Sequence, residues 1–282
     1  MKEIILDTLI DALKLLPFLF ITFLIMEYIE HKFSEKSKDK ISKSGKYGPV
    51  IGSLLGAIPQ CGFSVMATNL YSARIITVGT LISIYLSTSD EMLPILISNG
   101  KDANTILKIL VIKIIIGMLC GFIIDFILRK NKKDNLDIKH LCEEEHCNCD
   151  HGILKSALKH TFSIILFIVI VTFILNLMVH FLGEENIGKL FLRDSIFSPF
   201  LSSLIGLIPN CASSVILTEL YLSNIISLSS CIGGLLTGSG AALIVLFKVN
   251  KNRKDNIKII LTLYLIGVIF GVILNILEML IK

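Results

Sequence analysis

Long apolar runs alternate with short charged loops along the whole chain, and this pattern predicts a helical protein that crosses the membrane several times. Four runs are long enough to span a bilayer without interruption: residues 13–31, 103–128, 156–181 and 257–281. Four others are apolar but broken by proline, glycine and small polar residues: 48–72, 74–98, 199–222 and 224–247. The 53% share of hydrophobic residues agrees with an integral membrane protein rather than a soluble domain.

The second half of the chain repeats the first at an offset of 150 residues. Between 49–76 and 199–226, 14 of 28 aligned positions are identical. Both copies centre on the same kind of break, Pro59-Gln60-Cys61 in one and Pro209-Asn210-Cys211 in the other. Paired proline-interrupted segments at matching positions of two halves indicate the substrate site of a transporter.

A Gly-x-x-x-Gly motif also repeats at the same offset. Gly117-x-x-x-Gly121 lies in one uninterrupted run and Gly267-x-x-x-Gly271 in its counterpart. Small residues at this spacing allow helix backbones to approach closely. We therefore expect each half to pack its helices in the same way.

Loop charge predicts that the two repeats are inverted. The loop 32–47 carries six lysines, whereas its counterpart 183–198 is weakly acidic. Conversely, 99–103 has one lysine and its counterpart 248–258 has five basic residues. Because basic loops stay on the cytoplasmic side, equivalent loops are expected on opposite faces and both termini outside.

This topology requires an odd number of crossings between residues 48 and 98. We expect 48–72 to form a re-entrant hairpin and 74–98 a single broken span. Each hairpin arm of about 11 residues would reach about 16 Å, half of a ~30 Å hydrocarbon core. The predicted fold is an all-α integral membrane protein of two inverted repeats, each with three spanning helices, one of them broken, and a re-entrant hairpin. It has ten membrane elements in all: 1–128 is the first membrane repeat, 129–155 a cytoplasmic linker and 156–282 the second membrane repeat.

The breaks supply the candidate substrate ligands, which are thiols, amides, hydroxyls and carboxylates at one expected depth. They are Gln60, Cys61, Ser64, Ser87, Thr88, Ser89, Asp90, Glu91, Asn210, Cys211, Ser214, Glu219, Thr237 and Ser239. A carboxylate inside a membrane costs about 2.5–3.5 kcal/mol, which makes Asp90 a functional candidate. Glu91 and Glu219 have the alternative of lying near the lipid headgroups, and the two cysteines that of packing as small residues at a helix break. Lys113 is either a counter-charge or an ammonium that snorkels or packs against backbone carbonyls.

The linker carries six soft metal ligands within 12 residues: His140, Cys142, His146, Cys147, Cys149 and His151. Their spacing is too tight for a structural zinc module. A short Cys/His-rich tract is nevertheless typical of metal binding, so we expect a cytoplasmic metal-collecting loop. The alternative is a merely polar linker.

The paired Pro-Gln-Cys-Gly-Phe-Ser and Pro-Asn-Cys-Ala-Ser-Ser motifs, the Ser-Thr-Ser-Asp-Glu break and the linker resemble a bacterial family. This is the family of ten-transmembrane heavy-metal exporters, whose members are named arsenic efflux proteins or manganese transporters. The resemblance covers nearly the whole chain and implies a multi-pass protein of the cell inner (cytoplasmic) membrane. The Asp-Glu pair of the first half is replaced by Gly240-Ala241 in the second, so the site is not fully symmetric.

These features predict a secondary transporter that exports a heavy-metal ion by alternating access. Carboxylate and amide oxygens favour a divalent cation such as Mn²⁺, whereas thiolates favour softer metals. The alternatives are an arsenite or metalloid efflux permease and a passive metal channel. No phosphate-binding Gly-x-x-x-x-Gly-Lys-Ser/Thr loop and no His-Glu-x-x-His metalloprotease motif occurs, so neither an ATPase nor an enzyme is expected. The expected partners are the transported ion, protons as the coupling ion and the lipid bilayer, with no cofactor and no nucleic acid.

Overall fold

A computed structural model describes residues 47–59, 62–89, 92–129 and 197–281, together with single positions between 10 and 24 and between 158 and 173. Within these ranges the chain forms helices and no strand, which confirms the all-helical prediction. Gln60, Cys61, Asp90, Glu91 and the whole of the linker cluster lie outside the described residues.

The described ranges contain ten helices, five from each half. Those of the first half are α1 (Gly48–Gly56), α2 (Gly62–Ser72), α3 (Val78–Ser87), α4 (Met92–Ser98) and α5 (Ala103–Arg129). Those of the second half are α6 (Ser198–Gly206), α7 (Ala212–Leu222), α8 (Leu228–Thr237), α9 (Ala242–Val249) and α10 (Arg253–Ile281). Every helix of the second half begins 150 residues after its counterpart, so the sequence repeat is also a repeat of helices.

Local sequence explains where the short helices begin and end. Pro49 and Pro199 occupy the first turn of α1 and α6, where a missing backbone N–H costs nothing. Pro59 and Pro209 follow the ends of the same two helices, because a proline cannot continue them. Thr77 caps α3 by accepting a hydrogen bond from the Thr80 amide, and in α8 Ser227 accepts one from the Ser230 amide.

In the part of the chain that the structure describes, three segments are long and apolar enough to cross a membrane: Ala103–Leu128, Leu228–Val249 and Arg253–Leu280. The first and last are α5 and α10, and both expose a row of large apolar side chains at matching positions. The row is Leu107, Val111, Ile115, Leu119 and Ile123 on α5, and Ile257, Leu261, Leu265, Ile269 and Ile273 on α10. The middle segment contains α8 and α9 and is mostly buried. The two long helices are therefore peripheral, and the broken segments form the centre.

The packing of the two halves is also matched. Helix α3 packs against α1 and α5, and α8 packs against α6 and α10. The halves meet where α3 contacts α8, where α2 contacts α9, and where α7 contacts α4. Each half thus packs its second short helix, α2 or α7, against the last short helix of the other half.

The Gly-x-x-x-Gly motifs bring α5 close to α3, and α10 close to α8. A methyl group added to Gly121 would lie 2.7 Å from the Gly79 carbonyl oxygen, and one added to Gly267 would lie 2.8 Å from that of Gly233. Real Cβ atoms do not approach backbone this closely. The predicted close approach at the Gly-x-x-x-Gly pairs is confirmed.

Candidate functional site

The carboxyl-terminal ends of α3 and α8 meet at one buried ammonium. Lys113 lies in the middle of α5, and its side chain is 0% exposed. Its Nζ donates to the carbonyl oxygen of Thr88, at the end of α3, and to that of Leu235 near the end of α8, the latter at 2.8 Å. One side chain therefore links the ends of equivalent helices from both halves.

This arrangement follows from the chemistry of helix ends. The last four carbonyls of a helix lack amide partners within the helix, and the end carries a partial negative charge. A buried ammonium needs hydrogen-bond acceptors to offset its lost hydration. Of the two interpretations of Lys113, packing against backbone carbonyls is confirmed. Its counterpart Leu263 is also fully buried, so the charge is present in one half only.

The hydroxyls of the break in the first half all donate to backbone carbonyls. Ser87 donates to Ser83 at 2.8 Å, Thr88 to Ile84 at 2.8 Å, and Ser89 to Ala57 at 2.7 Å. All three donor residues are buried. A hydroxyl has one proton to donate, so these oxygens retain only lone pairs for any other partner.

In the second half, the two candidate hydroxyls behave differently. The Thr237 hydroxyl lies 2.8 Å from two acceptors, the carbonyl oxygens of Ser203 and Gly234, which share its one proton. Ser239, the counterpart of Ser89, is 1% exposed and its Oγ has no hydrogen-bond partner. Between α8 and α9, the buried hydroxyl of Ser239 therefore makes no hydrogen bond.

The described candidate residues that follow the proline breaks, Asn210, Cys211, Ser214 and Ser64, are buried. Exposure is 2% for Asn210, 7% for Cys211 and 8% for Ser214, whose hydroxyl donates to the Cys211 carbonyl at 2.8 Å. Ser64 is 0% exposed, and its carbonyl accepts from Thr68 at 2.8 Å. Ser64 and Ser214 occupy equivalent positions of the two halves, and both lie inside the protein.

Glu219 is placed differently from the other described candidates. Its side chain is exposed on α7, whereas its repeat counterpart Asn69 is 2% exposed and donates to the Val65 carbonyl at 3.1 Å. Glu219 is therefore not enclosed with the buried candidates. Among the described residues, no group of three or more His, Cys, Asp or Glu side chains could hold a metal ion.

A second polar contact at the centre was not predicted. The Thr68 and Tyr85 hydroxyls are 2.6 Å apart, and both side chains are fully buried. Thr68 also lies 3.5 Å from the Ala242 carbonyl oxygen in the other half. The identity of Thr68 and Thr218 in the repeat was a signal for this position, but Tyr85 lies in an apolar run and gave none.

Among the described residues, the buried polar side-chain atoms without a hydrogen-bond partner all belong to the second half of the chain. They are the hydroxyls of Ser198, Ser202, Ser203 and Ser239 and the amide nitrogen of Asn275, all in the second half. At equivalent positions the first half has Gly48, Gly52, Ser53, Ser89 and Asp125. The two serines donate to the Val50 and Ala57 carbonyls, and the Asp125 carboxylate accepts from the Gly79 amide. The two halves therefore share helices but differ in the polarity of their interiors.

Comparison with known proteins identifies the family. A family model described as "Putative, 10TM heavy-metal exporter" matches residues 1–151 and 131–274. The chain belongs to this family. No curated protein and no solved structure matches the chain. The resemblance drawn from the sequence motifs is confirmed, and membership of this exporter family implies a metal ion as substrate and a multi-pass position in a membrane.

Proposed function

We propose that this member of the heavy-metal exporter family exports a divalent cation, with Mn²⁺ as the first candidate, as a secondary transporter that works by alternating access. The choice of ion is supported by the hydrogen bonds of the hydroxyls at the end of α3. Ser87, Thr88 and Ser89 all donate their protons to backbone carbonyls. Their oxygens can accept or coordinate but have no proton left to donate.

This arrangement suits a cation. Oxygen ligands with free lone pairs match a hard divalent ion, and the partial negative charge at the ends of α3 and α8 adds to the attraction. Asp90, next to Ser89 in the sequence, would supply the carboxylate. A carboxylate and a divalent cation each offset the cost of taking the other out of water.

Arsenite is the second candidate because of the cysteines. It is an uncharged trihydroxide near neutral pH, and it gains little from a buried carboxylate. Trivalent arsenic prefers thiolates, and Cys211 is buried in the second hairpin at the position that repeats Cys61. The two ligand types thus separate the two substrates.

Alternating access is supported by the matched packing of the halves. The hairpin helices α2 and α7 contact α9 and α4 of the opposite half. If the repeats are inverted, an exchange of these two contacts would open the site to one face and then to the other. Protons are the proposed coupling ion, with Asp90 as the carrier.

Mn²⁺ flux into proteoliposomes tests the proposal. Asp90→Asn is expected to abolish flux, and the double variant Cys61→Ser/Cys211→Ser to lower it only modestly. Asp102→Asn, in an exposed loop, is the control for loss of a carboxylate and is expected to match the wild type. Loss of flux in the thiol variant, with arsenite resistance intact in Asp90→Asn, would replace the cation with the metalloid.

The same assay separates a carrier from a channel. A secondary transporter gives flux that saturates with Mn²⁺ and responds to a proton gradient. A passive channel gives conductance that does not saturate in the same range. The second result would remove alternating access while leaving the choice of ion in place.

The linker is proposed to collect metal on the cytoplasmic side rather than to line the path. Deletion of residues 140–151 should therefore lower flux at low Mn²⁺ and leave the maximal rate largely intact. Complete loss of flux in a normally expressed deletion variant would place the cluster in the transport mechanism itself.

A further inference from the structure

The position of the Lys113 ammonium has the properties of a cation site. Two backbone carbonyl oxygens, from Thr88 and Leu235, converge on it from separate helices. Thr88 directly follows Ser87, the last residue of α3, and its backbone angles of φ −54° and ψ 127° are outside the helical range. Its carbonyl is therefore turned away from the helix, where it can meet a group from another element.

The repeat indicates why a single lysine is sufficient. The position equivalent to Lys113 in α10 is Leu263, which is fully buried. The ends of α3 and α8 nevertheless share the one ammonium, because both reach the place where the halves meet. A second buried ammonium beside the first would add like-charge repulsion and no new acceptors.

We propose that the carbonyl oxygens of Thr88 and Leu235 form part of the binding site of the transported cation, and that Lys113 is a tethered cation that occupies this site when no substrate is bound. This inference rests on the proposed function, because it requires the substrate to be a cation. Lysine suits the role, since its ammonium is a compact point charge on a flexible four-carbon stem. The divalent ion binds only when the ammonium withdraws, because two cations at contact distance repel each other.

Lys113 affects the protein both without and with bound substrate. Without substrate, the ammonium keeps the negative helix ends neutralised and holds α3 and α8 together. With substrate, the ion takes over these contacts. Competition from Lys113 then weakens binding of the ion and so favours its release.

Mn²⁺ binding to the purified full-length protein in nanodiscs tests this inference. Lys113→Met and Lys113→Gln remove the charge and should bind Mn²⁺ at least about tenfold more tightly, which corresponds to about 1.4 kcal/mol. Lys113→Arg keeps the charge and should stay within about twofold of the wild type. Lys108→Met is the matched control, because Lys108 is exposed on the same helix. It should leave the affinity unchanged.

Lys113→Gln guards against a folding defect, since its amide can still donate to the carbonyls. A second measurement needs no variant. Acetylation of wild-type Lys113 by acetic anhydride, followed by mass spectrometry with Lys108 as the internal reference, should rise when Mn²⁺ saturates the protein.

Two results would overturn the inference alone: neutral variants that are monodisperse but bind Mn²⁺ no more tightly than the wild type, or acetylation of Lys113 that Mn²⁺ does not change. Both leave export by the wild type intact. Wild-type protein that neither binds nor transports Mn²⁺ would instead overturn the proposed function, and this inference with it.

Discussion

The carboxylate of Asp125 accepts a hydrogen bond from the backbone amide of Gly79 at 2.9 Å, and so caps the first turn of α3 from the long helix α5. The Thr77 hydroxyl donates to the same carboxylate at 2.6 Å. In the second half, Glu278 accepts from the Ser229 amide at 3.2 Å and from its hydroxyl at 3.1 Å. Both broken helices thus begin against a carboxylate from their long neighbour, although the two acids are not at equivalent positions.

Removal of this cap should destabilise the first half. Asp125→Ala is expected to lower the free energy of unfolding by about 2 kcal/mol, because the hydrogen bonds to a charged acceptor are lost. Asp125→Asn should cost less, since its side-chain oxygen can still accept from Gly79. Denaturant titration in mixed micelles measures both, with exposed Lys108→Ala as the control. Equal stability of Asp125→Ala and the wild type would show that the cap contributes nothing.

The close contacts of the long helices give a second prediction. Gly121→Ala and Gly267→Ala should each cost about 1–3 kcal/mol, because the new methyl group meets a backbone oxygen that cannot move aside easily. Gly238→Ala is the control, since the nearest atoms to its added methyl lie 3.7–3.8 Å away. Unfolding free energies of the three variants test the difference. A loss at Gly238 as large as at Gly121 would contradict it.

The contrast between Ser203 and Ser53 gives a third prediction. Both are 0% exposed and occupy equivalent positions, but only Ser53 has a hydrogen-bond acceptor for its hydroxyl, the Val50 carbonyl. Ser53→Ala should cost about 1 kcal/mol of stability, whereas Ser203→Ala should be neutral or stabilising by up to about 1 kcal/mol. Thermal unfolding of the two variants in one detergent provides the test. A larger loss at Ser203 than at Ser53 would mean that its hydroxyl has a partner, such as bound water.

The features that the sequence predicted are local or periodic. The breaks follow from prolines, the repeat from identity at a fixed offset, and the glycine contacts from four-residue spacing. The contacts that it did not predict join distant segments. Lys113 and Leu235 are 122 residues apart, and Asp125 and Gly79 are 46 apart. The repeat alignment also paired exposed Glu219 with buried Asn69, because equivalent positions need not share an environment when the halves differ in packing.

The loop before α5 gives a prediction about pH. Asp102 accepts hydrogen bonds from the Thr105 hydroxyl at 2.7 Å and from the Thr105 amide at 3.2 Å. The hydroxyl contact is the main reason that the pKa of the Asp102 carboxyl lies below its ordinary value. A carboxyl whose pKa is lower in the folded state stabilises that state at any pH above its pKa in the unfolded chain. This contribution is lost as the pH falls through its pKa in the folded state.

The hydrogen bonds from Thr105 to Asp102 at the start of α5 should therefore be intact from neutral pH down to about pH 4, and weaken only in more acidic solution. Thr105→Val should raise the pKa of Asp102 towards that of an ordinary aspartate, as followed by NMR of its carboxyl carbon during a pH titration. Asn104→Ala, an exposed neighbour, should leave the pKa where it is. An unchanged pKa in Thr105→Val would show that the hydroxyl is not its cause.

The orientation of the two halves is the prediction on which alternating access depends. Basic loops are retained on the cytoplasmic side, and the charge of equivalent loops changes sign between the repeats. Tags at both termini should therefore report outside, and tags in 32–47, 129–155 and 248–258 should report inside. Impermeant labelling of intact cells and of inverted vesicles gives the two readouts. Termini on opposite faces would contradict the inversion, because two inverted repeats joined by an inside linker must begin and end on the outer side.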